Sequence, residues 1–169
     1  FLELMKKTLL ITVVVMVSMI ACSSNGTQGA WKEHNLLRYD LPVSIMGPDS
    51  INVTSNNLLF SKDVTIEGAL EDGFGIQIYS SEASSQDPKK IKAEELAAVK
   101  RHQYFSELIQ DDEQGFIYST KLDSANVYHA FSYIKVQGAR EYIYQSLSGR
   151  KYDLDDVRKM YAAVQPKKK

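Results

Sequence analysis

NVYHAFSYIKVQGAREYIYQSL, residues 126–147, decides the fold. Residues 126–136 are dominated by aromatic and aliphatic side chains and read as the longest strand of the chain. Gln137-Gly138 turns that strand back into 139–147, and Ser148-Gly149-Arg150 ends the return. Two strands joined by so short a turn run antiparallel.

Working upstream, residues 107–111 and 115–121 flank a polar Asp112-Glu113-Gln114 turn and read as another hairpin. Val64, Ile66 and Leu70 alternate with Asp63, Thr65 and Glu67, and Phe74, Ile76 and Ile78 alternate with Gly75, Gln77 and Tyr79. Asp72-Gly73 lies between these runs and marks a hairpin, because a type I′ turn needs positive φ at both central positions. Leu37, Tyr39, Leu41, Val43 and Ile45 alternate over nine residues, which predicts one more strand. Pro42 cannot donate to a ladder, so this strand is expected at an edge or bent. Gly47-Pro48-Asp49-Ser50 breaks it, and a polar loop is expected through Asn57.

Two stretches carry helical periodicity. Asp87-Pro88 opens the first, with a capping carboxylate and a proline suited to the first helical position. Ile91, Ala98, Phe105 and Ile109 share a face, which predicts a helix from 88 to about 107. Asp153 caps the second, whose stripe is Leu154, Val157, Tyr161 and Val164. Asp155 and Asp156 in its first turn suit the helix dipole, and Pro166 ends it. The order is β, ββ, α, ββ, ββ, α. The expected fold is α+β: a mostly antiparallel sheet of six to seven strands packed by two helices. In element order it looks similar to the PsbP/Mog1/DcrB-like group, where a central antiparallel sheet carries helices on its faces. The resemblance spans residues 36–165 by pattern and brings no motif, so it implies no functional residue.

The N-terminus speaks to address. Residues 5–24, MKKTLLITVVVMVSMIACSS, place two lysines before an apolar run from Leu9 to Ile20. About 20 residues are needed to span a bilayer, so this run is too short and fits the apolar region of a secretory signal. Met5 reads as the true start. Met19-Ile20-Ala21-Cys22 resembles the bacterial lipobox of apolar, variable, small residue and cysteine, with Met19 where leucine is usual. The resemblance implies a diacylglycerol thioether on Cys22, cleavage before it, and residues 1–21 as signal peptide. Cys22 is the sole cysteine, so no intrachain disulfide exists. Residues 22–30 then form the acylated cysteine and a small, polar tether, and 31–169 a single domain with a basic tail at Lys167–Lys169. Ser23 is not the aspartate that favours inner-membrane retention, which points to the outer membrane rather than the inner.

Formal net charge is −1, with 20 Lys and Arg against 21 Asp and Glu, so no basic excess suggests nucleic acid. The chain has no Gly-x-Ser-x-Gly elbow, no His-Glu-x-x-His and no phosphate-binding Gly-Lys-Ser/Thr loop. Gly73-Phe74-Gly75 lacks a third glycine. His34, His102 and His129 are far apart in sequence, and they read as surface or satisfied side chains rather than metal ligands. Asp111-Asp112-Glu113 reads as a solvated turn before a cation site, and Asp153-Leu154-Asp155-Asp156 as a helix start before a calcium loop. Asp49-Ser50-Ile51 and Asp123-Ser124-Ala125 resemble bacterial O-glycosylation sites, and Asn52-Val53-Thr54 fits the N-glycosylation sequon.

Tyrosine is the most informative residue. There are ten, eight of them from Tyr104 onward. Tyr118, Tyr128, Tyr133, Tyr142 and Tyr144 fall on neighbouring expected strands, where aromatics suit cross-strand packing. Tyrosine and arginine also mark recognition surfaces, and an exposed Arg140, Tyr142 and Tyr144 patch is the candidate binding site. The expected function is a lipid-anchored envelope binding or accessory module with a protein partner, no cofactor and no metal. The alternatives are an envelope enzyme assembled from scattered residues such as His129, Asp123 and the tyrosines, or a purely structural lipoprotein.

Overall fold

The computed structural model describes residues 31–166. The signal, the lipobox with Cys22, the tether and Lys167–Lys169 lie outside the described residues.

Among the described residues nine strands and two α-helices follow one another. They are β1 (Lys32–Asn35), β2 (Ser44–Gly47), β3 (Asn52–Asn57), β4 (Ser61–Glu67), β5 (Gly75–Glu82), α1 (Pro88–Arg101), β6 (Phe105–Asp111), β7 (Gly115–Lys121), β8 (Val127–Gln137), β9 (Arg140–Ser146) and α2 (Leu154–Val164). Strands β3 to β9 form one antiparallel sheet in the order β3-β4-β5-β9-β8-β7-β6, and β1 pairs with β2 in a separate ribbon. The sheet is two meanders. The first is β3-β4-β5, and the second, β6 to β9, returns so that β9 docks on β5. The fold is α+β with a mostly antiparallel sheet packed by two helices, as the alternating runs predict.

Residues paired across the ladder share a face. Ile66 faces Ile76, Ile78 faces Tyr144, and Tyr144 faces Tyr133. This face is covered by α2 and by the β1–β2 ribbon. Leu36, Leu41, Val43 and Ile45 join Val64, Ile66 and Phe74 there in one buried core. Helix α2 adds Val157, Met160, Tyr161 and Val164. The opposite face carries Phe116 and Ile134, which Ile91 and Leu96 of α1 help to bury as α1 crosses β6 and β8.

Both helices begin as their sequences dictate. An Asp87 carboxylate oxygen accepts from Lys89 N at 3.0 Å, and one from Asp153 accepts from Asp156 N at 2.8 Å. Helix α1 stops at Arg101 rather than near 107. Phe105 and Ile109 belong to β6, and Ala98 is exposed. The residues that bury α1 are Ile91 and Leu96.

Three other expectations change. The alternating run 37–45 is not one strand: Leu37–Tyr39 is a 3₁₀ turn closed by Asp40 at φ 57°, and only Ser44–Gly47 pairs. Its inward alternation of Leu41, Val43 and Ile45 is real, but Leu37 is exposed. Residues 52–57, expected as loop, form the polar edge strand β3. The main sheet thus has seven strands with β3 in place of 37–45. The β4–β5 hairpin forms, but through a longer link. Leu70–Asp72 is a 3₁₀ turn with Gly73 at φ 58°. A side chain at Gly73 would meet the Asp156 carboxylate 2.5 Å away, so that turn is shaped by α2 as well as by its own residues.

Candidate functional site

The proposed Arg140, Tyr142 and Tyr144 patch does not exist as a surface. Tyr142 and Tyr144 are each 1% exposed, beneath the β1–β2 ribbon and α2. Burial drives the Tyr144 hydroxyl far above its usual range, with Tyr133 and Tyr142 adding to it. Arg140 is exposed as a residue, but its guanidinium is spent inside the chain. Nε donates to Ser80 Oγ at 3.1 Å and Nη2 to Ser80 O at 3.0 Å. The physical reason is parity: Arg140, Tyr142 and Tyr144 lie on the core side, and both neighbouring strands continue that side with Ile78 and Tyr133.

The tyrosines are instead the packing of the core. Tyr133 and Tyr144 approach at 6.1 Å between ring centroids, Tyr133 and Tyr161 at 6.1 Å, and Phe131 and Tyr161 at 5.8 Å. Their hydroxyls surface at the β6–β7 turn. Tyr133 donates to Gln114 Oε1 and Tyr161 to Asp112 Oδ2, both at 2.9 Å. The acidic run there is exposed, as a solvated turn should be, and its carboxylates are engaged as well. Asp111 pairs with Lys92 and Glu113 with Lys89, so each carboxylate ties the turn to a helix. Gly115 follows because a side chain there would strike Ser132 O at 2.7 Å.

The histidines lie apart. His34 Nε2 is 2.7 Å from Pro48 O, His102 is exposed just past α1, and His129 sits on β8. Among the described residues no three His, Cys, Asp or Glu side chains converge as a metal site would need. Asp153 acts as the cap described above, and Asp123 closes its own loop by accepting from Ala125 N, Asn126 N and Asn126 Nδ2. Those bonds hold its carboxyl below the usual range, the Asn126 side chain most strongly. Ser50, Asn52 and Ser124 are all exposed.

What the fold assembles is a cleft of about 400 Å³ where β8 and β9 part. The β8–β9 ladder begins only at Ser132 and Gln145. Beyond it β9 stays with β5, since Leu147 N donates to Gly75 O at 2.9 Å, while β8 continues back to Val127 beside β7 alone. Phe131 N reaches across to Ser146 Oγ at 3.1 Å, the last bond before the split. Main-chain groups alternate sides along a strand, so Val127 and His129 point theirs to the same side as Phe131, into the gap.

The chain from Leu147 to Tyr152 forms the opposite wall. Gly149 turns it at φ 82°. Arg150 is held by Glu67 at 3.0 Å and by Phe74 O at 3.2 Å. Lys151 lies 5.1 Å from the Tyr128 ring centre, a cation over an aromatic face across the cleft. His129 Nδ1 is buried there with no partner among the described residues. Burial pushes the Tyr152 hydroxyl up to about 12. Among the described residues no aspartate or glutamate lines the cleft, so the walls they form are neutral or cationic.

Sequence reading named His129, Tyr118 and Tyr128 without bringing them together, and it missed Ser146, Arg150 and Lys151. Strand lengths carried the signal: β8 has 11 residues and β9 has 7, so β8 must overrun its partner. No family model and no curated protein matches this chain. No helix among the described residues is long and apolar enough to cross a membrane.

Proposed function

We propose that this protein is a lipid-anchored module of the bacterial envelope, held by an acylated Cys22, that binds an extended segment of a partner protein and performs no chemistry. The observation that carries the binding reading is the side of β8 at Val127 and His129 that no strand pairs, lying open in a cleft. A strand edge of this kind offers main-chain hydrogen bonds to any extended peptide, and flanking pockets select its side chains. Lys151 and the absence of lining carboxylates among the described residues favour an acidic segment.

The anchoring reading rests on the lipobox resemblance of Met19-Ile20-Ala21-Cys22. An enzyme reading has His129 and the Ser146 and Ser148 hydroxyls of the cleft in its favour, but no hydrogen bond joins the histidine to either serine.

Photo-crosslinking in intact cells tests it. A photoreactive residue at Tyr128, in the cleft, is compared with one at Thr54, on the far edge strand. One defined protein captured from position 128 and not from 54, with capture reduced in Lys151→Glu, is the expected result. Equal capture from both positions, or none, overturns it.

A further inference from the structure

The tip of the β3–β4 hairpin is the least protein-like surface of the domain. Leu58, Leu59 and Phe60 are 58%, 87% and 84% exposed. They are consecutive, and Leu58 N donates to Ser61 O at 2.9 Å to close the turn beneath them. The strand that carries them is polar: Asn52, Thr54, Ser55, Asn56 and Asn57 are all exposed. So the apolar character is confined to the projecting end. Such a run on a solvent-facing turn is an error of patterning unless it has a use.

We infer that this tip inserts into the bilayer to which the chain is tethered, which rests on the anchored reading above. A protein contact calls for an apolar patch with a polar rim on a broad surface. Here the turn at the end of a polar edge strand carries three consecutive apolar side chains, a shape that enters a lipid boundary without a matching groove. Leu37, 62% exposed, adds to it from the neighbouring turn, which the 2.9 Å pair between Lys62 and Asp40 holds at the hairpin's base.

The distances permit it. The first described residue, Trp31, packs on Phe74 at 5.2 Å between ring centres, at the start of β5. The tip lies at the other end of the sheet, since Lys62 pairs with Ser80 near the end of β5. Six strand residues from Phe74 to Ser80 span roughly 20 Å, and the tip lies one tight turn beyond. Residues 22–30, fully extended, span at most about 30 Å. An anchored domain therefore has enough chain to set its tip on the same membrane. Three apolar side chains bind a membrane weakly on their own, but the tether raises the local concentration and makes a weak second contact sufficient.

The test uses the acylated mature chain carrying Trp31→Phe and Phe60→Trp, in vesicles of phosphatidylethanolamine and phosphatidylglycerol. Emission is expected to shift to the blue on reconstitution and to be quenched by lipids brominated on the acyl chain. A Thr54→Trp chain in the same background should show neither effect. If the protein floats with the vesicles while the probe at position 60 behaves like the one at 54, the inference is overturned and the anchor stands. If the chain neither carries acyl groups nor floats, the anchored reading fails and this inference with it. Blue-shifted emission from the Cys22→Ser mature chain in lipid-free buffer, growing with concentration, would assign the tip to a second copy and overturn the membrane reading.

Discussion

Helix α2 buries five of its 11 residues; α1, with 14, buries two. Both are capped by aspartate, and both lie on the same sheet. The difference is what each lies on. Beneath α2 the sheet face is continuous, from Ile117 and Phe131 through Tyr133 and Tyr144 to Ile78 and Val64, and the β1–β2 ribbon completes the cover. Beneath α1 only Phe116 and Ile134 are fully buried apolar side chains. Further along that face, Thr65, Gln77, Tyr79 and Gln145 stay partly exposed. A helix on a full apolar face becomes core; a helix on half a face becomes a cover. The cover meets a charged rim too. Glu141 is 8% exposed and satisfied by Ser81 and Ser84, and Glu95 of α1 approaches it.

Met160→Ala should open the largest wound, about 3 to 4 kcal/mol, because a buried cavity forms and the Gly75 N–H loses its sulfur acceptor at 3.3 Å. Denaturant unfolding measures it. Ile91→Ala beneath α1 should cost about 2 kcal/mol, since a thinner layer collapses more easily around the gap. Equal losses would break the comparison. Hydrogen exchange sharpens it: α1 amides should exchange by local opening, well below the free energy that protects α2. Asp87→Ala and Asp153→Ala each remove one cap and should cost about 1 kcal/mol, the second showing in global unfolding and the first chiefly in α1 exchange.

The smallest effect is a matter of pH. Burial first, then Glu141 and Glu94, raises the Glu95 carboxyl above its usual range. The folded state then binds that proton more tightly than the unfolded one, so Glu95 favours folding in acid. That benefit is lost as pH rises from the ordinary glutamate range through the raised folded value. Glu95→Gln should be slightly more stable than the parent at neutral pH, with the advantage fading in acid. Tm measured at neutral pH and again below the ordinary glutamate range checks the sign.

Much of this was legible in the sequence. Alternation gave β4 and β5, turn residues and apolar content gave β7, β8 and β9, mostly within a residue or two at each end, and capping aspartates gave the helix starts. Period misled where two elements abut. Phe105 and Ile109 continue the spacing of Ile91 by accident, but His102 to Tyr104 leave the helix and the chain enters β6. Propensity misled at β3, where NVTSNN has almost no strand-forming side chains and is held by its ladder to β4. The exposed tyrosine patch failed for a deeper reason. Parity told which side chains share a face, but not which face the C-terminal helix would cover. The cleft needed two strand lengths and one ladder register together, which no local pattern states.

The strand order also sets a clock. Each meander closes through neighbours in sequence, but the seam between them joins Gly75–Glu82 to Arg140–Ser146, across about half of the described chain. Contacts so distant slow folding, into the millisecond-to-second range for sheet-dominated domains. Whenever this chain emerges from its N-terminus forward, β5 waits with one edge open until the last strand appears. In that interval the half-built sheet is a template for wrong pairing. The late arrival of β9 makes the final hairpin both the keystone of the native sheet and the step at which folding and aggregation compete.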